Sequence, residues 1–378
     1  MSLVTSDFVI DAFGARWSLV TDGIDLAARD RLHVLWQACH VPSARAADEG
    51  VEPFVVSDPD PYAVSRAVTL ASIRRRRGQA VMLHAAGLSD RGRAIALVGP
   101  SGTGKSTAAR ALGQHFGYLT DETFTIEGDD RVFPYPKPVS MITDPTQPWA
   151  KVEASPAELG LREATGTAYI HAVVVLERDP AHVTPELVPL PVVDAVLAVI
   201  KETSSQPLLD RPLERLAGLV CAAGGPYLLR YSEIGQCVDL LRALFEVGPG
   251  VEGEQWSSTP GSAPAPADPV GGMDAVGAAL IQEAFPLADV VDGSTVVVRG
   301  PWRDAVHGES DSIVLIDHTP VRLGPIGEVL WELAVTPVSV ADAHLAVVDA
   351  FGDHPDATAL ITQGVADMLR SGVLRLAG

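Results

Sequence analysis

Residues 8–20 alternate apolar and polar side chains on either side of Gly14, the period-2 pattern of a small β-hairpin. Residues 31–39 read as a short helix, and residues 63–77 carry helical spacing. Two apolar runs follow, 80–86 and 94–98, each with the length and composition of a buried strand, before residues 106–116 return to a helical pattern. Residues 118–126 and 170–176 predict further strands, and 232–245 a helix. Strands dominate this middle region, with helices before, within and after it. That order predicts an α/β core with a mixed sheet rather than a repeated β-α-β array.

The pattern stops at residues 248–272, where Gly, Pro, Ser, Thr and Ala follow one another with little apolar content. Such a stretch cannot bury enough surface to fold and predicts a partly extended linker. Beyond it come strand patterns at 289–299, 312–316 and 320–323, then three helices. Ile326, Val329, Leu330 and Leu333 are spaced i, i+3, i+4, i+7; residues 341–351 form the second helix; Ile361, Val365, Met368 and Leu369 mark the third. Three strands and three helices in so short a span predict a small winged-helix-like module.

Between the strand at 94–98 and the helix at 106–116 lies Gly99-Pro100-Ser101-Gly102-Thr103-Gly104-Lys105-Ser106-Thr107, a full match to the phosphate-loop pattern. Its glycines allow backbone angles closed to residues with a Cβ, so successive N–H groups can turn around a phosphate. The following helix adds its N-terminal donors and the positive end of its dipole. Lys105 is then expected to reach the β- and γ-phosphates, and the Ser106 hydroxyl to hold Mg²⁺. The motif makes the chain a binder of ATP or GTP.

Composition narrows this reading. With 378 residues and 47% apolar content, the chain is long enough for two or three globular domains. A formal net charge of −20 argues against nucleic-acid binding. The one basic run, Arg74 to Arg77, precedes a strand and reads as a solvated helix end. Cys39, Cys221 and Cys237 are odd in number and widely spaced, so they predict neither disulfides nor a zinc site. The longest apolar region is broken by Pro189, Pro191 and Asp194, and no signal-peptide pattern opens the chain, so a cytoplasmic protein without membrane association is expected.

A phosphate cradle does not by itself name a reaction. Downstream, Asp121 and Glu122 interrupt a strand-like run, where adjacent charges cost desolvation energy unless a cation or hydrogen bonds compensate. Upstream, His84 ends the strand before the P-loop strand, where it can orient a carboxylate as a general base. Lys137, stiffened between Pro136 and Pro138, is a candidate phosphate or substrate contact, with a plain surface turn as the other reading. Arg211, Arg215 and Arg230 are candidates to neutralise the transferred phosphoryl group.

Together, Leu83-His84-Ala85-Ala86-Gly87, the P-loop, Leu119-Thr120-Asp121-Glu122-Thr123-Phe124-Thr125-Ile126 and, more loosely, Tyr135-Pro136-Lys137-Pro138 resemble the HPr kinase family. That family's catalytic domain is similar to phosphoenolpyruvate carboxykinase. The resemblance covers residues 80–245 and implies an ATP- and Mg²⁺-dependent kinase with His84, Asp121 and Glu122 as catalytic residues and Asp121 as a metal ligand beside Ser106. It is also compatible with a homo-oligomer, as HPr kinases often are. In the family the acidic pair is two aspartates, one associated with the metal and one serving as base; Glu122 at the second position leaves the division of roles open. The family's glycine-rich signature is only faintly matched at Leu161-Arg162-Glu163-Ala164-Thr165-Gly166, where Glu163 is a further candidate ligand. This departure argues against HPr as substrate and against a reverse, phosphorylase activity.

The region after residue 289 resembles the PqqD family of peptide-recognition modules, through Leu323 to Leu333 and Val365 to Leu374. The resemblance implies that a leader peptide adds as a strand beside Val321, Arg322 and Leu323 and packs near Met368 on the last helix. The expected organisation is therefore an N-terminal α+β region (1–75), a P-loop HPr kinase-like domain (76–247), a linker (248–272) and a PqqD-like winged-helix domain (273–378). The expected function is phosphorylation of a Ser or Thr hydroxyl on a ribosomally made precursor peptide or small carrier protein, whose effective concentration the second module raises. A nucleotide-binding adaptor without kinase activity and a kinase of a small metabolite are the alternatives.

Overall fold

The computed structural model describes residues 8–42, 50–100, 102–143, 146–147, 150–204, 206–248, 251, 253–261, 263 and 291–377. It is a mixed α/β protein with several sheets, divided into two compact units. The first unit comprises Met1–Leu190, Lys201–Ser205 and Leu219–Gly253; the second comprises Pro191–Ile200, Gln206–Gly218 and Glu254–Gly378.

In the first unit, the hairpin expected around Gly14 forms from β1 (Val9–Ala12) and β2 (Ala15–Val20), and β3 (Val51–Val55) pairs parallel to β2. Gly14 carries the turn at φ +90°, a region that favours glycine. The helix Pro61–Arg76 begins with a proline after the Asp60 cap, whose side chain accepts the Ala63 N–H. Its apolar face shares a core with the hairpin, including Trp17, Val64 and Val68. The arginine run at its end does more than meet solvent. Arg74 is exposed, but Arg75 donates to the carbonyls of Arg16 and Gly50 and lies over the Trp17 ring, while Arg76 pairs with Glu127. Arg75 thus ties the helix to β2 and to the residue before β3, and Arg76 ties it to the residue after the strand Thr123–Ile126.

The large sheet is built on β4 (Val81–Asp90) and β5 (Arg93–Val98), an antiparallel pair. After the helix Lys105–Leu112 come β6 (Gly117–Thr120), β7 (Thr123–Ile126) and β8 (Arg131–Phe133). A separate two-stranded piece joins β9 (Val139–Ile142) to β10 (Lys151–Ala154). Then follow β11 (Arg162–Glu163), β12 (Ala168–Arg178), β13 (Glu186–Pro189) and β14 (Tyr227–Tyr231). β12 lies parallel to both β5 and β14, whereas β13 runs antiparallel to β14, so the sheet is mixed as expected. Leu97, Val174 and Leu229 of its strands share a core with Ala109 and Leu112 of the P-loop helix and with Leu241 and Phe245 of the helix Val238–Glu246.

Two sequence readings are corrected here. The P-loop helix ends at Leu112 rather than 116, since Gly113 caps it and the amides of His115 and Phe116 turn back to the Leu112 carbonyl. Residues 118–126 are not one strand. β6 and β7 both pair with β4, β7 against its first half and β6 against its second, and Asp121 and Glu122 form the break between them.

In the second unit, β15 (Ser257–Pro260), β17 (Asp304–His307), β18 (Ser312–Ile316) and β19 (Thr319–Leu323) make an antiparallel sheet in that order. Strand β16 (Val296–Arg299) lies between β20 (Val338–Ser339) and β21 (Leu374–Leu376). The helices Pro325–Leu333, Val340–Phe351 and Ala357–Arg370 follow the predicted spacing and bury Leu330, Trp331, Val347, Ile361 and Val365. Strand β15 falls inside the segment expected to be linker, held as an edge strand by β17 and by the Thr259 hydroxyl on His307. Residues 264–272 of that segment, and 289–290 of the next predicted strand, lie outside the described residues. Residues 191–200 and 206–218 also belong to this unit.

One buried carboxylate in this unit carries a pH prediction. Asp304 on β17 accepts the N–H groups of Leu213 (2.8 Å) and Glu214 (3.1 Å) at the start of the helix Pro212–Val220. Burial nonetheless pushes its carboxyl from 3.8 up to about 6. Since the folded value lies above the unfolded one, the stability it confers is complete below about pH 4 and is lost as pH rises through 6, roughly 3 kcal/mol in all. Hydrogen exchange at the Leu213 and Glu214 amides should show this decline between pH 4 and 7, and Asp304→Asn should flatten it.

Candidate functional site

The site is organised by the middle of β4. Ala85 pairs with Val98, the last residue before the P-loop, and its N–H donates to the Glu122 carbonyl at 3.0 Å. The P-loop strand and the acidic turn therefore flank one residue of β4, with His84 beside it. Local chemistry shapes each part. Glu122 is turned by its N–H donating to the Thr120 hydroxyl at 3.1 Å. Gly102 and Gly104 have φ of +88° and +94°, and Gly104 begins the helix Lys105–Leu112. A Cβ on Gly99 would lie 2.9 Å from the Thr103 hydroxyl, so this position tolerates only glycine without a shift. The Thr103 hydroxyl donates to the Pro100 carbonyl at 2.7 Å, and the Tyr231 hydroxyl to the Thr103 carbonyl at 3.2 Å. Ser106 and Thr107 are exposed on the first helical turn; Ser101 lies outside the described residues.

Lys105 is buried. Its ammonium donates to the Gly99 carbonyl and, at 3.2 Å, to the Pro100 carbonyl, and stands 3.5 Å from the Glu202 carboxylate. Burial lowers its pKa, and Glu202 works against that shift. Glu202 has no place in the sequence reading. It arrives because its carbonyl accepts the His84 N–H at 2.7 Å, alongside a bridge between Leu83 and Thr203. His84 itself is exposed at the surface yet crowded by protein. Burial of its ring and the charge of Lys105 lower its pKa, against opposing pulls from Glu122 and Glu202, so its ring is neutral at pH 7.

The acidic pair is held from below. Residues 135–138 run beside the end of β6, with the Tyr135 N–H donating to the Leu119 carbonyl at 2.8 Å. This places the fully enclosed Lys137 ammonium 3.3 Å from Asp121 Oδ1 and 3.1 Å from Glu122 Oε2, while donating to the Pro138 carbonyl at 3.0 Å. Burial alone would lower the Lys137 pKa, but Asp121, Glu122 and Glu153 together hold it well above the usual lysine value. The surface-turn reading of Lys137 is thereby overturned, because neighbouring carboxylates make burial of the ammonium tolerable. Asp121 is buried and also accepts from the Tyr118 hydroxyl at 3.0 Å; the Glu122 side chain is about one-third exposed, at 34%. Glu153, likewise absent from the sequence reading, is a buried carboxylate on β10 that accepts from Ser65 and Ser140. Burial raises its pKa, against Lys137 and the two serines. Neither glutamate carries a local motif; only their tertiary partners single them out.

The remaining predicted residues have partners of their own. Arg230 on β14 pairs with Glu177 at 2.9 Å and Glu186 at 3.6 Å. Arg211 belongs to the second unit and pairs with Glu214 at 2.6 Å, and Arg215 follows it there. Glu163 is exposed on the edge strand β11. In the second unit, β19 is an edge strand on which Leu323 is buried, Val321 half-buried and Arg322 exposed; Arg322 bonds Asp311 and Asp194. Met368 is buried in the core. Cys39 and Cys237 are buried and Cys221 half-buried, all as free thiols. Among the described residues, no group of three or more His, Cys, Asp or Glu side chains is arranged to hold a metal ion, and no helix is long and apolar enough to cross a membrane.

No protein-family model and no curated protein matches this chain. A solved structure, the HPr(Ser) kinase/phosphatase from Coxiella burnetii, is similar over 43% of this chain and 92% of that chain, with 13% identity and a TM-score of 0.24.

Proposed function

We infer that this chain is an ATP- or GTP-dependent phosphotransferase acting on a hydroxyl group, with a Ser or Thr of a precursor peptide or small carrier protein as acceptor. The observation that carries this reading is the placing of the P-loop and the acidic turn Asp121-Glu122 on either side of Ala85, with His84 next to it. A P-loop that only binds nucleotide needs no clamped pair of carboxylates at its mouth.

The residues fit the roles. The backbone of Gly102 to Lys105 and the start of the helix offer N–H donors to phosphate oxygens, and Lys105 offers charge. The exposed Ser106 hydroxyl and the Asp121 carboxylate are hard oxygen donors of the type that would hold Mg²⁺. Bound there, Mg²⁺ would neutralise charge on the β- and γ-phosphates. Glu122 is the more open of the two carboxylates and lies on the His84 side, which suits it to take the proton from the acceptor hydroxyl as that oxygen bonds to the γ-phosphorus. The bond between the γ-phosphorus and the β-γ bridging oxygen breaks, and the nucleoside diphosphate leaves with the electron pair. Lys137, 3.1 Å from Glu122 Oε2, holds that carboxylate in place for the step, and neutral His84 can hydrogen-bond the acceptor. In the second unit, β19 pairs with β18 alone among the described residues, which supports a role in receiving an extended peptide.

Incubating the full chain with ATP, Mg²⁺ and the short peptides encoded beside its gene should add the mass of one phosphate to one of them. Glu122→Gln should lower that rate by roughly a hundredfold or more while leaving ATP affinity near wild type. No phosphate on any peptide, and no ATP consumed beyond the Lys105→Ala background, would count against the reading.

A further inference from the structure

Glu202 is fixed by main chain rather than by its own side chain. Its carbonyl accepts the His84 N–H at 2.7 Å, the Ser204 N–H donates to the Met82 carbonyl at 2.9 Å, and Thr203 bridges Leu83 between them. This strand-like strip along the start of β4 aims the carboxylate at the P-loop. There it meets Lys105 at 3.5 Å, with only 14% of the Glu202 side chain and 5% of the Lys105 side chain exposed. The ammonium is further held by the carbonyls of Gly99 and Pro100. So the cation expected to grip phosphate is already surrounded by acceptors, one of them a full negative charge in a poorly solvated place.

We propose that Glu202 is a counter-ion gate on the P-loop: any anion that uses Lys105 must first loosen it from Glu202 and then sit beside that carboxylate. The gate rests on the reading of this loop as a nucleotide-phosphate site, and it sets a threshold within it. The same increment is taken from every anion that competes for Lys105. A ligand spread over the loop amides and the helix start loses a fraction of its affinity and still binds. Inorganic phosphate, with few other contacts, is kept out. Burial lowers the Lys105 pKa and Glu202 opposes that shift, so the same carboxylate favours the ammonium form.

Calorimetric titration of the full chain with inorganic phosphate, and separately with ATP and Mg²⁺, tests this at fixed ionic strength. Glu202→Gln should tighten inorganic phosphate by roughly tenfold or more. It should also speed acylation of the Lys105 amine at constant pH, because the ammonium loses the partner that raises its pKa. The three backbone contacts do not involve the replaced atoms, so the strip stays in place, and the melting temperature should fall only by the loss of the one carboxylate beside Lys105. Should the Gln variant fold poorly, Glu202→Asp, which draws the carboxylate back, should still tighten phosphate by a smaller factor. A folded variant with unchanged or weaker phosphate binding overturns the gate. Wild type that binds ATP no better than Lys105→Ala overturns the phosphotransferase reading instead, and the phosphate titration then decides the gate alone.

Discussion

Lys137→Met is expected to destabilise the first unit by about 3–5 kcal/mol, the usual cost of removing one partner from a buried ion cluster. Three carboxylates lose their cation at once. Asp121 and Glu122 contact the ammonium directly, and Glu153 acts on it through space. Urea denaturation of the full chain, followed through the unfolding of the large sheet, measures the loss. Asp121→Asn in the Lys137→Met background should recover part of it, since fewer uncompensated charges then remain buried, and the departure from additivity reports the coupling. If instead Lys137→Met left stability within about 1 kcal/mol of wild type and weakened only ligand binding, the lysine would be a substrate contact and the charge-clamp account would fail.

On the proposed reading, Lys105→Ala is expected to lower phosphoryl transfer by roughly a thousandfold or more, because it would remove the P-loop ammonium offered to charge developing on the transferred group. Its effect on stability should be small by comparison. The lysine's partners are two loop carbonyls and the single carboxylate of Glu202, so its loss strands one charge where loss of Lys137 strands three. Measured ATP turnover and a denaturation curve on the same protein separate the two effects. A variant that keeps more than a tenth of wild-type turnover would be inconsistent with a phosphate grip at this position.

The contrast between these lysines marks what could be read from residues alone. Lys105 sits in a motif whose conformation is local: positive-φ glycines and a helix start specify the loop wherever it occurs. Its neighbourhood was partly legible too, since the charged pair Asp121-Glu122 in an apolar run asked for compensation. What supplied the compensation was not legible. Lys137 carried two equal readings, surface turn or phosphate contact, and the structure makes it the buried counter-charge of the acidic turn. The turn itself was hidden because residues 118–126 have strand composition throughout, and only the switch of β4 from one partner strand to the other breaks them.

The apolar periods and the P-loop motif are properties of neighbouring residues, and they specified the strands and helix around that loop, its glycine positions and the mixed α/β character, but not β8 to β11, β13 or β14. Where the chain returned to itself was decided by the tertiary structure. Ser257–Pro260, polar enough to read as linker, becomes a strand because the edge of β17 offers it backbone partners. Residues 191–200 and 206–218 join the second unit although the sequence runs on without a break in composition. Between them, Glu202 is laid against β4 and reaches Lys105. Such pairings depend on which backbone groups and charges are left unsatisfied once strands have formed, and that quantity exists only in the folded chain.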